Sequence, residues 1–300
     1  MTKMNKKFPL SLEKSPFFYL LPVALFMAIM VAYPVIRLFY LSLTQNILTR
    51  PDLGVSFIGL DNYLTLFSSV DFWKTLTRTV LWTGYSVAGK AVIGFIIALL
   101  LSKVTRFKRL YFLLLLIPWV TPMVVGSISW RWVYDGQFGM LNWVLTRVHI
   151  LSENYVWLGN EISAFLATGI TDMWLGIPLM TMLMLAGLQS VPVELLESAS
   201  LDGATFFQRL RLVILPLMKP VILVATTLSA IWTFNSFGVI WPLTKGGPVD
   251  ATQTLVVKAY KESFGAFDLG MGATIAVVIF LILLSFTTVY YKAVMRQEEI

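Results

Sequence analysis

Six long apolar runs alternate with polar segments along the chain. A helix that crosses a bilayer needs about 20 mostly apolar residues, so the pattern predicts an all-α, polytopic membrane protein. Its membrane domain is expected over 17–292, between tails at 1–16 and 293–300. The six predicted membrane spans are about 17–40, 76–101, 110–132, 163–188, 217–240 and 270–291.

The third run contains Pro118 and Pro122. Proline removes a backbone donor and kinks a helix, and a membrane helix tolerates it where neighbouring groups satisfy the freed carbonyls. The third span is therefore predicted to be kinked.

The polar segment 190–216 has helical features that a simple connector would not need. Pro192 suits a first helical turn, and Glu194 lies near the positive end of the helix dipole. Gly203 is expected to end this helix, and Thr205 opens a second one with capping-box spacing. An amphipathic connector on the bilayer surface and a docking element for another protein both fit this pattern.

Composition removes several classes of function. The chain of 300 residues is 57% hydrophobic and 13% charged, which excludes an ordinary soluble domain. It has no Cys and one His, His149, so disulfides, zinc–thiolate sites and iron–sulfur clusters are excluded. No catalytic cluster or metal site is expected, and no GxxxxGK[ST] motif is present to bind a nucleotide.

The charges of the polar segments predict the orientation. The two tails, together with the adjoining Lys292, and the segments 102–109 and 189–219 hold 13 Lys and Arg against six acidic residues. The opposite segments, with the adjoining span ends, hold nine of each sign. The positive-inside rule places the first set, with both termini, in the cytoplasm. The net charge of +7 is then explained by topology and a lipid bilayer, and nucleic-acid binding has no support.

Two full charges, Lys90 and Asp172, fall inside predicted spans. Each costs roughly 2.5–3.5 kcal/mol at the centre of an inserting helix, so each needs a partner or a wet cavity. They are candidates for a structural ion pair, for groups that line a solute cavity, or for the relay of a proton-coupled carrier.

Other polar and aromatic residues lie near the predicted outer ends of the fourth and fifth spans. Trp174 follows Asp172 closely, and an indole with a carboxylate suits a sugar, because the indole covers an apolar sugar face while the carboxylate accepts from hydroxyls. Trp232, Asn235 and Ser236 lie in the fifth span. Interhelical hydrogen bonding explains any one of them, whereas the group as a whole makes a cavity plausible.

Three short motifs in the 190–216 segment resemble the EAA loop of ATP-binding-cassette (ABC) importer permeases. They are Glu197-Ser198-Ala199, Asp202-Gly203-Ala204 and Leu215-Pro216. The chain departs from the family pattern at Ser198, where Ala is usual, and this change is small enough to fit the same socket.

Residues elsewhere resemble the sugar-permease subgroup, in particular its maltose-F or glycerol-phosphate-A type. The similarity covers roughly 110–290. Its residues are Pro118, Pro122, Trp130, Gly139, Asn142, Trp174, Pro178 and the runs 186–189, 234–237, 243–248 and 252–255.

The resemblance implies a type I ABC importer fold in a prokaryotic cell (cytoplasmic or inner) membrane. It implies a heterodimer with a second homologous permease, two ATPase subunits that bind ATP and Mg, and an extracytoplasmic solute-binding protein. This chain would bind no cofactor. The residues expected to couple to the ATPase are Glu194, Glu197, Ser198, Ala199, Asp202, Gly203 and Ala204.

The function expected from the sequence is therefore that of a permease subunit, not an enzyme, in an ATP-driven importer of a sugar such as an oligosaccharide. One alternative is the same architecture importing glycerol phosphate or another small solute. The other is an ion- or proton-coupled secondary carrier, although six spans without visible halves are few for such carriers.

Overall fold

The computed structural model describes residues 16–298, and most of them are helical. The helices are α1 (Pro16–Met27), α2 (Tyr33–Ser42), α3 (Asp61–Ser68), α4 (Val70–Lys103), α5 (Lys108–Val120), α6 (Met123–Val133), α7 (Met140–Arg147), α8 (Glu161–Gln189), α9 (Val193–Leu201), α10 (Phe206–Arg209), α11 (Leu215–Phe234), α12 (Phe237–Thr244), α13 (Leu255–Tyr260) and α14 (Leu269–Glu298). Short π-helical turns lie at Ala28–Ala32, Leu210–Ile214 and Lys261–Gly265, and a 3-10 turn lies at Pro51–Leu53. Two short antiparallel strands, β1 (Thr44–Gln45) and β2 (Ser56–Phe57), form a hairpin.

The predicted class of fold, an all-α polytopic membrane protein, is confirmed. Within residues 16–298, five helical segments are long and apolar enough to cross a membrane: Tyr19–Ser42, Val70–Lys103, Glu161–Gln189, Phe206–Phe234 and Leu269–Tyr290. Helices α5 and α6 form a sixth candidate together, bent by 95° between them. This bend is the kink predicted in the third span, and it falls at residues 121–122, directly after Val120.

Helix bounds differ from the predicted spans where polar residues lie at helix ends. Helix α4 begins at Val70, whereas the predicted span began at residue 76. The first turns of α4 carry polar groups such as Asp71, so the apolar run begins later than the helix. Asp71 pairs with Lys258 of α13 at 2.7 Å. Helix α14 continues to Glu298, through most of the predicted tail at 293–300. Residues 1–15 of the predicted N-terminal tail and residues 299–300 lie outside the described part of the chain.

The fifth predicted span, 217–240, is divided in the structure. Helix α11 ends at Phe234, and α12 begins at Phe237. Asn235 and Ser236 break the helix between them, with the N–H of Phe237 donating to the carbonyl of Asn235 at 2.7 Å. Hydropathy alone does not register the break, because α12 is itself apolar.

Helices α4 and α8 form the most closely packed pair in the bundle, and they run parallel. Four glycines at their interface each face a long side chain of the other helix. A Cβ at any of these glycines would lie 2.4–2.9 Å from that side chain. The facing pairs are Gly89 with Met173, Gly94 with Met180, Gly169 with Tyr85, and Gly176 with Lys90. Small residues allow this close approach in membranes, where helices associate through van der Waals packing.

A hydrophobic core joins α4, α8 and α11 at the end of the bundle that carries the 190–216 segment, which we call the loop end. Its buried members include Leu101, Met184 and Met218. Leu196 of α9 and Leu210, directly after α10, pack against the same core. The loop is thus attached to the three helices by apolar contacts as well as by the chain.

Candidate functional site

The turn within the 190–216 loop is closed by a helix C-terminal motif. Helix α9 ends at Leu201, and Gly203 adopts a left-handed conformation with φ +80°. The N–H of Ala204 donates to the carbonyl of Ala199 at 2.9 Å, and the N–H of Gly203 donates to the carbonyl of Ser200 at 3.1 Å. These two bonds define a Schellman motif, in which glycine is the usual left-handed residue. Gly203 therefore makes the turn that the sequence predicted.

Two further contacts fix the second half of the loop. Thr205 and Gln208 form the predicted capping box: the N–H of Thr205 donates to the Gln208 side chain at 2.7 Å, and the N–H of Gln208 donates to the Thr205 hydroxyl at 3.4 Å. The guanidinium of Arg209 donates to the hydroxyl of Ser200 at 2.5 Å, across the turn. The shape of the loop is thus set by bonds within the loop itself.

The loop exposes most of the residues that the resemblance implicates in coupling. Glu194, Glu197, Ser198, Asp202 and Gly203 are exposed. Ala199 and Ala204 are half-buried, on the side where Leu196 packs against the core.

The two most exposed large apolar residues of the loop were not singled out in the sequence. Leu201 is 89% exposed and Phe207 is 76% exposed. Apolar residues flanking the Asp202–Gly203 turn were the available signal. The exposed part of the loop therefore carries large apolar side chains as well as carboxylates.

A cavity of about 360 Å³ lies beside two breaks in the helical bundle. One break, between α5 and α6, contributes Thr121 and Pro122 to its wall, and the other, between α11 and α12, contributes Ser236. Irregular backbone is tolerated at membrane depth where it is packed in protein or lines a cavity, and discontinuous helices are typical of transporter substrate sites. The volume is within the range of about 300–1,000 Å³ found for small-molecule sites.

Four polar side chains form a network in the cavity wall. The ammonium of Lys90 on α4 forms an ion pair with Oδ2 of Asp172 on α8. It also donates to the hydroxyl of Thr233 at 2.8 Å, and the hydroxyl of Ser236 donates to Oδ1 of Asp172 at 3.2 Å. Lys90 and Asp172 are each only 5% exposed. The ion pair and the cavity, which were alternatives from the sequence, are thus found together.

The structure brings some of the predicted cavity residues together and separates others. Asp172, Trp232 and Ser236 line the cavity. Trp174 points elsewhere and packs edge-to-face on Trp130, with 5.8 Å between ring centroids. Asn235 is exposed outside the cavity, and its side-chain amide donates to the carbonyl of Ile231 at 3.1 Å.

The cavity has a second indole that sequence reasoning missed. Trp119, at the end of α5, is 51% exposed and lines the cavity with Trp232, which is 59% exposed. The sequence feature that could have identified Trp119 is its position next to Pro118, at the predicted kink. The described residues contain no group of three or more His, Asp or Glu side chains placed to hold a metal ion.

At the opposite end of the bundle, Asn142 ties together the segment between α6 and α8. Its amide donates to the carbonyls of Gly136 and Tyr155 at 3.1 and 3.0 Å, and its carbonyl accepts from the indole of Trp157 at 2.8 Å. Backbone N–H groups of Phe138 and Gln137 donate to Asp135 and lower the pKa of its carboxyl. These bonds give the segment between α6 and α8 a fixed shape.

Comparisons with known proteins agree with this architecture. A family model described as "Binding-protein-dependent transport system inner membrane component" matches residues 90–297. The trehalose/maltose transport system permease protein MalF of Thermococcus litoralis is 36% identical over 279 residues, which cover 93% of each chain. The diacetylchitobiose uptake system permease protein DasB of Streptomyces coelicolor is 32% identical over 289 residues, covering 95% of this chain and 88% of that protein.

Solved structures show the same fold at low sequence identity. A bacterial ABC transporter involved in the import of alginate matches with a TM-score of 0.76 and 19% identity, over 92% of this chain and 95% of that chain. The MetNI methionine ABC transporter matches with a TM-score of 0.53 and 18% identity, over 76% of this chain and 98% of that chain. The expected importer-permease fold is therefore confirmed.

The relatives are permease proteins, which confirms the expectation that this chain is a transport subunit and not an enzyme. Because the family model covers more than half of the chain and the relatives nearly all of it, the chain belongs to the family of binding-protein-dependent transport system inner membrane components, the multi-pass permease subunits of ABC transporters.

Proposed function

We propose that the chain is a permease subunit that imports a sugar, such as an oligosaccharide, through the cavity beside the two helix breaks. The observation that carries this proposal is the pairing of two half-exposed indoles, Trp119 and Trp232, with the polar network of Asp172 and Ser236 in one wall. Indoles cover the apolar faces of sugar rings, and hydroxyls and carboxylates meet sugar hydroxyls. The names of the relatives in Thermococcus litoralis and Streptomyces coelicolor, which concern trehalose or maltose and diacetylchitobiose, support this class of solute.

The energy for transport would enter at the 190–216 loop. Its exposed acidic residues, with Leu201 and Phe207, offer a contact face for an ATPase subunit. Leu196 and Leu210 connect the loop to the core shared by α4, α8 and α11. Movement of the loop as the ATPase subunits close would therefore be passed to the helices that line the cavity, giving alternating access by motion of rigid elements.

The proposed assembly contains a second homologous permease, two ATPase subunits that bind ATP and Mg, and an extracytoplasmic solute-binding protein. The binding-protein-dependent family and its importer fold support this assembly. The positive-inside charge bias supports a cytoplasmic location for both termini and for the 190–216 loop.

The test is transport by the complete complex in liposomes, with a solute-binding protein and a labelled disaccharide. Uptake should require ATP hydrolysis, and Glu197→Lys should weaken ATPase attachment and uncouple hydrolysis from uptake, because it reverses a charge on the exposed face of α9. Uptake that continues with hydrolysis blocked would contradict the importer and favour an ion- or proton-coupled carrier. Normal coupling in the Glu197→Lys complex would contradict the assigned contact face.

A further inference from the structure

The cavity wall that this chain supplies contains one cationic and one anionic side chain. Among the described residues that line the cavity, only Lys90 and Asp172 are charged. They contact each other, so the wall carries no net charge. The stem of Lys90 packs closely on Gly176, where an added Cβ would be 2.6 Å from the Lys90 Cε.

The remaining hydrogen bonds hold both charges in the wall. Thr233 accepts from the ammonium, and Ser236 donates to the carboxylate, so each ion has a second partner besides the other ion. Removing one member of such a buried pair leaves an uncompensated charge in a medium of low dielectric constant. The electrostatic potential inside the cavity, which is close to neutral with both ions present, would then take the sign of the remaining ion.

We propose that the Lys90–Asp172 pair makes the permease selective for uncharged sugars over anionic ones, an inference that rests on the proposed function of the cavity. An anionic sugar that enters must leave its hydration shell, and the ammonium that would attract it is already neutralised by Asp172. An uncharged sugar gives up less hydration and meets the two indoles and the hydroxyls. Selection of this kind comes from a missing attraction for the wrong solute as well as from contacts with the right one.

The field in the cavity is measured by fluorescence quenching of the complete complex in nanodiscs. Iodide is the anionic quencher and acrylamide is the neutral one. The fluorescence of Trp232 is obtained by subtracting the fluorescence of the Trp232→Phe complex from that of the complex that retains Trp232. Asp172→Asn should raise iodide quenching of Trp232 by about three- to tenfold, the effect of one partly screened charge, and leave acrylamide quenching unchanged. Lys90→Gln should lower iodide quenching, so the two variants shift in opposite directions.

Two controls separate this effect from a general loss of structure. Asp71→Asn makes the same chemical change in the Asp71–Lys258 pair outside the cavity, and it should leave both quenchers unaffected at Trp232. The double variant Lys90→Gln with Asp172→Asn restores a neutral wall and should restore the wild-type ratio of iodide to acrylamide quenching. If Asp172→Asn fails to assemble, Lys90→Gln tests the proposal alone. Equal iodide quenching in the wild type and the assembled single variants would overturn it.

Transport separates the failure of this inference from failure of the proposed function. The probes are trehalose as the uncharged sugar and a uronic-acid disaccharide as the anionic one, each given with a binding protein that accepts it. Wild-type complexes should favour trehalose, and Asp172→Asn should shift the ratio toward the anionic sugar by about tenfold, or about 1.4 kcal/mol. A wild type that carries neither sugar contradicts the sugar-import function. A wild type that carries trehalose, with the same ratio in Asp172→Asn, contradicts only the role of the pair.

Discussion

Replacing Gly203 by alanine should uncouple ATP hydrolysis from transport while leaving the membrane helices intact. Gly203 has φ +80°, and a Cβ built on it would have no atom within 4 Å. The substitution therefore causes no steric clash with the rest of the chain, and its effect comes from the backbone conformation. Alanine in the left-handed region costs roughly 1–2 kcal/mol.

This cost acts on the turn between α9 and α10. A change of roughly 1–2 kcal/mol alters the ratio of closed to open turns by about 5- to 30-fold. Opening the turn breaks the bonds from Ala204 to Ala199 and from Gly203 to Ser200, and it separates Ser200 from Arg209. Asparagine enters the left-handed region more readily than alanine, so Gly203→Asn should have a smaller effect.

The assay measures ATP hydrolysed per sugar molecule imported by the complete complex in liposomes, together with the amount of ATPase subunit that copurifies. Gly203→Ala should raise the ratio of hydrolysis to import and reduce ATPase retention, with Gly203→Asn between it and the wild type. Gly59 provides the matched control, since it has φ +61° and also has no atom within 4 Å of a built Cβ. Gly59→Ala bears the same strain in the segment between β2 and α3, and it should leave coupling unchanged. Normal coupling in Gly203→Ala, or an equal defect in Gly59→Ala, would refute the reasoning.

Three further predictions concern the cavity and the segment between α6 and α8. Gly176→Ala forces the Lys90 stem aside, so it should lower the melting temperature, in line with an overpacking cost of about 1–3 kcal/mol, and reduce uptake; unchanged values of both would contradict the close packing. Trp232→Ala should raise the KM for sugar uptake several-fold, whereas Trp174→Ala should change it little; the reverse order in uptake kinetics would contradict the cavity lining. Asn142→Ala removes the hydrogen bonds to the carbonyls of Gly136 and Tyr155, at about 0.5–1.5 kcal/mol each, so the segment between α6 and α8 should become sensitive to protease; unchanged cleavage would argue against this.

Local structure could be predicted from the sequence where it depends on contacts between residues close together in the chain. The capping box at Thr205 and the turn at Gly203 involve contacts within five residues, so residue type and spacing were sufficient to predict them. Apolar run length likewise predicted the crossing helices. The break at Asn235 was missed because the residues after it are again apolar, and hydropathy does not distinguish a bent helix from a straight one.

Whether a residue lines the cavity depends on which face of its helix it occupies. The cavity residues were therefore predicted only in part. Trp174 was nominated because it follows Asp172 by two residues, yet positions i and i+2 do not face the same side of a helix. Trp119 lies in a different helix, directly before the bend after Val120, and it lines the same cavity. The contact of Lys90 with Asp172 required the register between α4 and α8, which no local pattern specifies.

The register between α4 and α8 limits which substitutions such a permease can accumulate during evolution. A side chain at Gly176 must displace the stem of Lys90, so this mutation is tolerated best together with a shorter residue at position 90. Gly94 also faces the backbone nitrogen of Thr181, which no replacement of Met180 would move away. Trp119, by contrast, borders open space and can change singly. A lineage that acquires a new solute can therefore alter the indoles in single steps, whereas a single replacement of Lys90 or Asp172 gives the wall a net charge and leaves the other ion without its partner.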